Sequence, residues 1–305
     1  MNKICRFWEE SIMFQGEEIQ KLVELLKKRG AYLYHACQLL DFQSYLNVGG
    51  IPSRSHLESN SQPYTPFKTD HNDRANDDWD KVFANLSDFG FTFAGGYDAV
   101  PNIYGPILFQ IKPEVFYEAT DVAICLRSAG GKGFDREMEA LNSISDVDRL
   151  FQHPVDEADL RKRSYVKNRQ GLQKDFTPNA SAPEISCTVE SGKFSLKYVN
   201  LVRVEPYIIQ GHHLEVKVKE IISKSGEKLC VYNRDKSPSY TDELLKIMES
   251  RVLSLQHLSE NYKISQDLRD WAKRVINRGI AYQFNDSFAP YLYHGTILPI
   301  LQGQV

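Results

Sequence analysis

The chain has 305 residues, 42% of them hydrophobic and 25% charged, enough for one large globular domain or one domain with an appendage. Its net charge of −3 excludes a uniformly basic nucleic-acid binder, although a local basic patch remains compatible with it. No apolar run approaches the roughly 20 residues that a bilayer-spanning helix needs, so no membrane partner is expected.

The five cysteines (Cys5, Cys37, Cys125, Cys187, Cys230) are scattered and form no CxxC pair. That pattern predicts reduced thiols, no zinc site and a cytoplasmic protein. The opening MNKICRFWEESIMF carries charges inside its apolar stretch and reads as a poor signal peptide. Apolar residues at helical spacing (Phe7, Trp8, Ile12, Ile19, Leu22, Val23) predict an amphipathic helix over 4–28, ended by Arg29-Gly30. A first strand over 31–37 carries His35. A helix over 39–47 follows, with Phe42, Tyr45 and Leu46 inward, closed by Gly49-Gly50.

From 51 to 78 the chain turns polar and reads as a long functional loop. Within it, Asp70-His71-Asn72-Asp73-Arg74 fits neither the EF-hand nor the HExxH spacing, so it predicts a helix start or ligand loop and no metal. A helix is expected over 79–86, then strands over 89–94, 107–111 and 121–126. The glycine-rich 128–133 lacks the GxxxxGK[ST] spacing and reads as a flexible turn before a helix over 136–144.

The strongest charge feature is Arg161, Lys162, Arg163, Lys167, Arg169 and Lys174, interleaved with Tyr165 and Phe176. Such a run is either a solvated helix face or a phosphate-attracting surface with aromatics for base stacking. Directly after it, Glu184 opens a short strand over 184–189. Strand-like segments continue over 194–204, 213–222 and 228–232. Thr241 and Ser265 open two C-terminal helical patterns.

A histidine strand (LYHACQLLDFQSYLNVGGIPSR), an aromatic strand (FGFTFA), a Pro-initiated strand (GPILFQI) and a late glutamate strand (APEISCTVESGKFSLKYVNLVRV) occur in that order. This order resembles the ADP-ribosyltransferases, and most closely the DarT-type toxins that modify nucleic acid, over residues 31–206. The resemblance implies an α+β fold with a split β-sheet core and flanking helices. It implies a catalytic domain over 1–235 and a helical C-terminal segment over 236–305. It also implies NAD as co-substrate. His35 would bond the nicotinamide ribose, and Arg74 or Arg54 would bind the pyrophosphate through its planar fork of donors. Phe91, Thr92 and Phe93 would lie on the strand facing nicotinamide, where Thr92 is the only hydroxyl. Glu184 would bond a ribose hydroxyl, stabilise the oxocarbenium-like transition state and help deprotonate the acceptor.

Transferases onto protein arginine resemble one another in an acidic residue or Gln two positions before that glutamate; here Ala182 stands there. With the basic residues Arg161, Lys162, Arg163, Lys167 and Arg169 where related enzymes meet their acceptor, the resemblance points to a DNA or RNA base, with a single strand favoured. A toxin of a toxin–antitoxin or phage-defence system, with a possible antitoxin protein as partner, is the implied context. The alternatives are an NAD glycohydrolase, a transferase onto protein, and a non-enzymatic nucleic-acid-binding module in which His35 and Glu184 are core or edge residues.

Overall fold

The computed structural model describes residues 13–65, 70–87, 105–126, 128–129, 134–164, 166, 183–204, 208–209 and 212–233, with positions 260 and 266. Its centre is an eight-stranded sheet. In chain order the strands among the described residues are β1 (Phe14–Gln15), β2 (Leu33–Cys37), β3 (Gly50–Pro52), β4 (Val82–Asn85), β5 (Ile107–Ile111), β6 (Ala119–Cys125), β7 (Glu184–Val189), β8 (Lys193–Ser195), β9 (Val199–Val204), β10 (Ile208–Ile209), β11 (His212–His213) and β12 (Val231–Asn233). The large sheet runs β1-β6-β7-β4-β2-β5-β9-β12, and β3-β8 and β10-β11 form two small ribbons. Every pairing is antiparallel except β9 with β12. The class is therefore mixed α and β around a mostly antiparallel sheet, compatible with the expected α+β fold.

One join in this sheet is weak. β2 pairs with β5 along its whole length, from Leu33 opposite Ile111 to Cys37 opposite Ile107. Its other edge meets β4 at a single residue pair, Tyr34 opposite Asn85. β4 in turn pairs fully with β7, from Val82 opposite Cys187 to Asn85 opposite Glu184. The sheet is thus two well-laddered halves hinged at one pair, and beyond that pair the facing strand edges need other partners for their polar groups.

The helices form where sequence periodicity asks for them. Helix α1 (Glu17–Arg29) buries Ile19, Leu22, Val23 and Leu26, carries Glu17 and Glu18 in its first turn and Lys27, Lys28 and Arg29 in its last, and stops at Gly30 in the left-handed region. Arg29 is itself buried; its guanidinium donates to Asp148 at 2.8 and 2.6 Å and to the His153 carbonyl. Helix α2 (Leu39–Val48) ends the same way at Gly49, and its Phe42 stacks on Phe109 of β5 at 5.4 Å between centroids. Short helices α3 (Arg54–Ser59), α4 (Asp70–Ala75), α5 (Arg136–Glu139), α6 (Ile144–Asp148) and α7 (Leu160–Arg163) decorate the sheet, and α8 (Leu214–Ser225) packs against α2 and β12.

Several expectations are corrected. Among the described residues the first helix begins at Glu17, and no helix runs unbroken over 4–28, because Gly16 takes φ +54° and Phe14–Gln15 pair with β6 instead; residues 1–12 lie outside the described residues. The span 79–86 holds strand β4 (Val82–Asn85) and no helix: Val82 and Ala84 are buried while Phe83 and Asn85 are half-buried, a period of two. The polar stretch 51–78 is not one loop, since β3, α3 and α4 occupy it and Ser53 caps α3 by accepting from the His56 N–H. The helix expected over 136–144 splits into α5 and α6, because Ala140 bridges to Cys125 of β6. The segment 194–204 is broken by a 3-10 turn at Leu196–Tyr198. The strand expected over 213–222 is helix α8, whose buried Leu214, Val218 and Ile222 recur every four residues and whose Glu215 pairs with Lys219 at 2.7 Å. The strand over 89–94 and the C-terminal helices lie outside the described residues, apart from 260 and 266, which are helical.

Candidate active site

A cleft of about 920 Å³, counting its solvent-filled mouth, opens where the two half-sheets part. β2 contributes His35, Ala36 and Cys37, β4 contributes Phe83 and Asn85, and Glu184 is the first residue of β7. Asp41 and Tyr45 project from α2, Arg54 from the first turn of α3, and Asp70 and Asp73 from α4. Asp78, Trp79, Lys81 and Ser128 complete much of the wall.

His35 closes the seam that backbone pairing leaves open. Its Nδ1 lies 2.6 Å from the Phe83 carbonyl oxygen of β4, and its Nε2 lies 3.1 Å from the Tyr45 hydroxyl. A carbonyl can only accept, so Nδ1 carries the proton and Nε2 accepts from Tyr45. Burial pushes the imidazole pKa down to about 4, against a smaller opposing pull from the Phe83 carbonyl. The ring is therefore neutral at pH 7. Both its nitrogens are engaged, and a bond from His35 to a ribose hydroxyl requires Tyr45 to give way.

Arg54 reaches the cleft at 19% side-chain exposure and is anchored by Asp41, itself 2% exposed, at 3.3 Å, and by the Thr65 carbonyl at 3.0 Å. Asp41 is in turn held by the Thr65 N–H at 2.8 Å and the Gln38 N–H at 3.3 Å. A half-buried guanidinium with a buried carboxylate behind it stays charged and aimed.

Glu184 accepts the Ala129 N–H on Oε1 at 2.6 Å. Burial drives its pKa up to about 7; the Ala129 N–H and the Ser128 side chain pull it down, while Asp73 and Asp78 push it further up. Asp73 is likewise raised to about 6, by burial first and then by Asp70 and Asp78. Asp78 is fully buried and committed to Arg136, whose Nη2 also sits 2.5 Å from Oδ2, and to Lys81 at 3.2 Å. Cys37 is held far above its usual range by burial and remains a thiol.

The expected site residues divide cleanly. His35, Arg54 and Glu184, far apart in the chain, meet in one cleft. Arg74 is not among the cleft-lining residues; it lies on the surface, ion-paired to Glu58 at 2.6 Å with its side chain 51% exposed. Phe91, Thr92, Phe93, Lys167 and Arg169 fall outside the described residues, as does the side chain of Arg161. Lys162 is exposed and Arg163 half-buried on α7, and neither lines the cleft. Sequence reasoning did not single out Asp41, Tyr45, Trp79 or the Ser128-Ala129 backbone. Only Asp41 carried a signal, an acid three residues into a helix whose neighbours Phe42, Tyr45 and Leu46 point inward.

Among the described residues no group of three or more His, Cys, Asp or Glu side chains is placed to hold a metal ion, and no helix is long and apolar enough to cross a membrane. Cys37, Cys125, Cys187 and Cys230 are free thiols. Compared with known proteins, the chain matches no family model and gives no significant match to a curated sequence.

Proposed function

We propose that this chain is an NAD-dependent ADP-ribosyltransferase on an ADP-ribosyltransferase-like split-sheet fold, with a nucleic-acid base as acceptor. The observation that carries the reading is the convergence of His35, Arg54 and Glu184 on one cleft at the seam between two half-sheets. Composition alone gives no reason for a cation, a neutral imidazole and a carboxylate with a pKa near 7 to meet there. Perturbed groups in a cleft are the usual mark of a reactive site.

The residues present fit NAD in two respects. Arg54, backed by Asp41, offers a fixed planar fork for a pyrophosphate. Glu184 offers an acceptor oxygen for a ribose hydroxyl and, when ionised, a negative charge that would oppose positive charge on the ribose. NAD supplies an ADP-ribosyl group whose departure from nicotinamide builds positive charge on the ribose ring. The ionised Glu184 carboxylate stabilises that charge, as carboxylates do in glycoside hydrolysis. The Ala129 N–H fixes its orientation. His35 keeps the seam at a set width and leaves the cleft uncharged at that point. A proton leaving the acceptor as its bond to C1′ forms is taken up by a cleft carboxylate, Glu184 in this reading.

Arg54 takes the pyrophosphate role in preference to Arg74, because Arg54 faces the cleft. The test is incubation of the full chain with radiolabelled NAD and mixed DNA and RNA oligonucleotides, beside the Glu184→Gln variant. Label on an oligonucleotide that the variant fails to transfer supports the reading. Free ADP-ribose or labelled protein alone moves the assignment to a glycohydrolase or protein transferase, and intact NAD refutes an NAD-consuming enzyme.

A further inference from the structure

At the rim of the cleft four side chains form a ladder, and beyond Arg54 the reaction above uses none of them. The Arg54 guanidinium lies 4.7 Å from the centroid of the Tyr64 ring. Tyr64 meets Trp79 edge-on, with centroids 6.2 Å apart and planes at 72°. The Arg74 guanidinium stacks 3.6 Å above the Trp79 ring. One carboxylate ties the outer rungs together: Glu58 accepts the Trp79 indole N–H at 2.9 Å, the Tyr64 hydroxyl at 2.8 Å and Arg74 at 2.6 Å.

This assembly stands at the surface, with Glu58 40% and Arg74 51% exposed. Exposed ion pairs add little to stability, so folding gives a weak reason to fix three side chains on one carboxylate. Two adjacent aromatic rings flanked by planar cations do match a base with its phosphate. Bases stack on aromatic faces, and guanidinium forks bind phosphate oxygens.

We propose that the Arg54–Tyr64–Trp79–Arg74 ladder is a subsite for a nucleobase with its phosphate, running from the cleft floor to the surface. Trp79, which lines the cleft together with Glu184, supplies the stacking face, and Arg74 the outer phosphate contact. Glu58 is a positioning residue that orients both. The proposal rests on the ADP-ribosyltransferase reading. It admits two sources for the same chemistry: the adenylate half of NAD, or a nucleotide of the acceptor strand.

The experiment uses the full chain and the variants Trp79→Leu, Trp79→Phe and Arg74→Gln. Dissociation constants are measured by calorimetry for NAD alone. For fluorescent single-stranded DNA and RNA oligonucleotides without NAD they are measured by anisotropy across a salt series. Trp79→Leu is expected to weaken one ligand roughly tenfold, while Trp79→Phe keeps most of the affinity. Arg74→Gln is expected to weaken the same ligand and, for an oligonucleotide, to lower the salt slope by about one. An effect on NAD assigns the subsite to the adenylate, and an effect on an oligonucleotide assigns it to the acceptor. Wild-type binding that neither Trp79→Leu nor Arg74→Gln alters overturns the ladder and leaves the cleft reading standing. A wild-type protein that binds neither ligand overturns both. Arg74 is exposed, so Arg74→Gln decides the matter even if Trp79→Leu does not fold.

Discussion

Replacing Glu184 by Gln tests the electrostatics of the cleft without assuming any reaction. The carboxyl has an ordinary pKa of 4.5 and sits at about 7 in the folded chain. Between those values the folded state binds a proton that the unfolded state has released, so stability falls as pH rises. The contribution of the protonated form is fully present below pH 4.5 and gone above pH 7. At 1.36 kcal/mol per unit, the shift corresponds to ~3 kcal/mol of stability lost across that window. Gln keeps the shape and can still accept the Ala129 N–H, but it does not titrate. In chemical denaturation from pH 4 to 8, the variant should match the wild type near pH 4, gain on it through pH 7, and stay ahead by up to ~3 kcal/mol above that. Contributions of His35 are common to both proteins and cancel. The same variant should lose about a hundredfold or more in transfer activity, the scale on which one electrostatic group acts on a charged transition state. A stability difference that is flat across pH, or a wild type that is the more stable at pH 8, would refute the buried, half-ionised carboxyl.

Three further outcomes follow from the same geometry. Arg54→Ala leaves the buried Asp41 without its cation and should cost about 3 kcal/mol, whereas Arg74→Ala removes a surface pair and should cost under ~1 kcal/mol; urea midpoints compare them, and equal losses would contradict the placement of the two arginines. His35 should show the Nδ1–H tautomer by nitrogen NMR and stay neutral to about pH 4. Because its folded pKa lies below the ordinary 6.5, the stability it contributes is present above pH 6.5 and lost as pH falls towards 4; protonation near 6.5 in the folded protein would count against the seam. Gly105→Ala should abolish folding, since at φ +140° its Cβ would lie 2.0 Å from the Cys37 carbonyl oxygen, and a soluble, cooperatively unfolding variant would show that β2 does not pass so close.

Much of the frame was legible because it follows from period and punctuation. The strands of His35 and Glu184, helix α2 and its glycine stop all follow from local pattern. Strand β4 did not, since four residues are too few for a period of two to declare itself beside a run of charges. Helix α8 hid behind Val216, Val218, Ile221 and Ile222, whose β-branched side chains suggest a strand although the four-residue spacing governs. The choice between Arg54 and Arg74 was beyond local reading, because it depends on a buried partner, Asp41, 13 residues away in another helix. The Ala129 N–H that orients Glu184 comes from a position 55 residues earlier, where the sequence suggests only a turn.

The signs of the charges around the cleft bear on how the proposed reaction would be arranged. Asp41, Asp70, Asp73, Asp78 and Glu184 line it against Arg54 and Lys81, with His35 neutral. Such a wall favours positive charge developing on a ribose and disfavours a polyanion deep inside. Burial, with the neighbouring carboxylates adding to it, raises the pKa values of Glu184 and Asp73, and those shifts place stability and function in opposition. The carboxylates Asp73 and Asp78, which would help a cationic transition state, also disfavour the ionised Glu184 in the resting fold. A nucleic-acid acceptor would then have to be gripped by its phosphates outside the acidic wall and present only a base to it. Arg74 lies outside that wall, stacked on the Trp79 that lines it, a position suited to such a division.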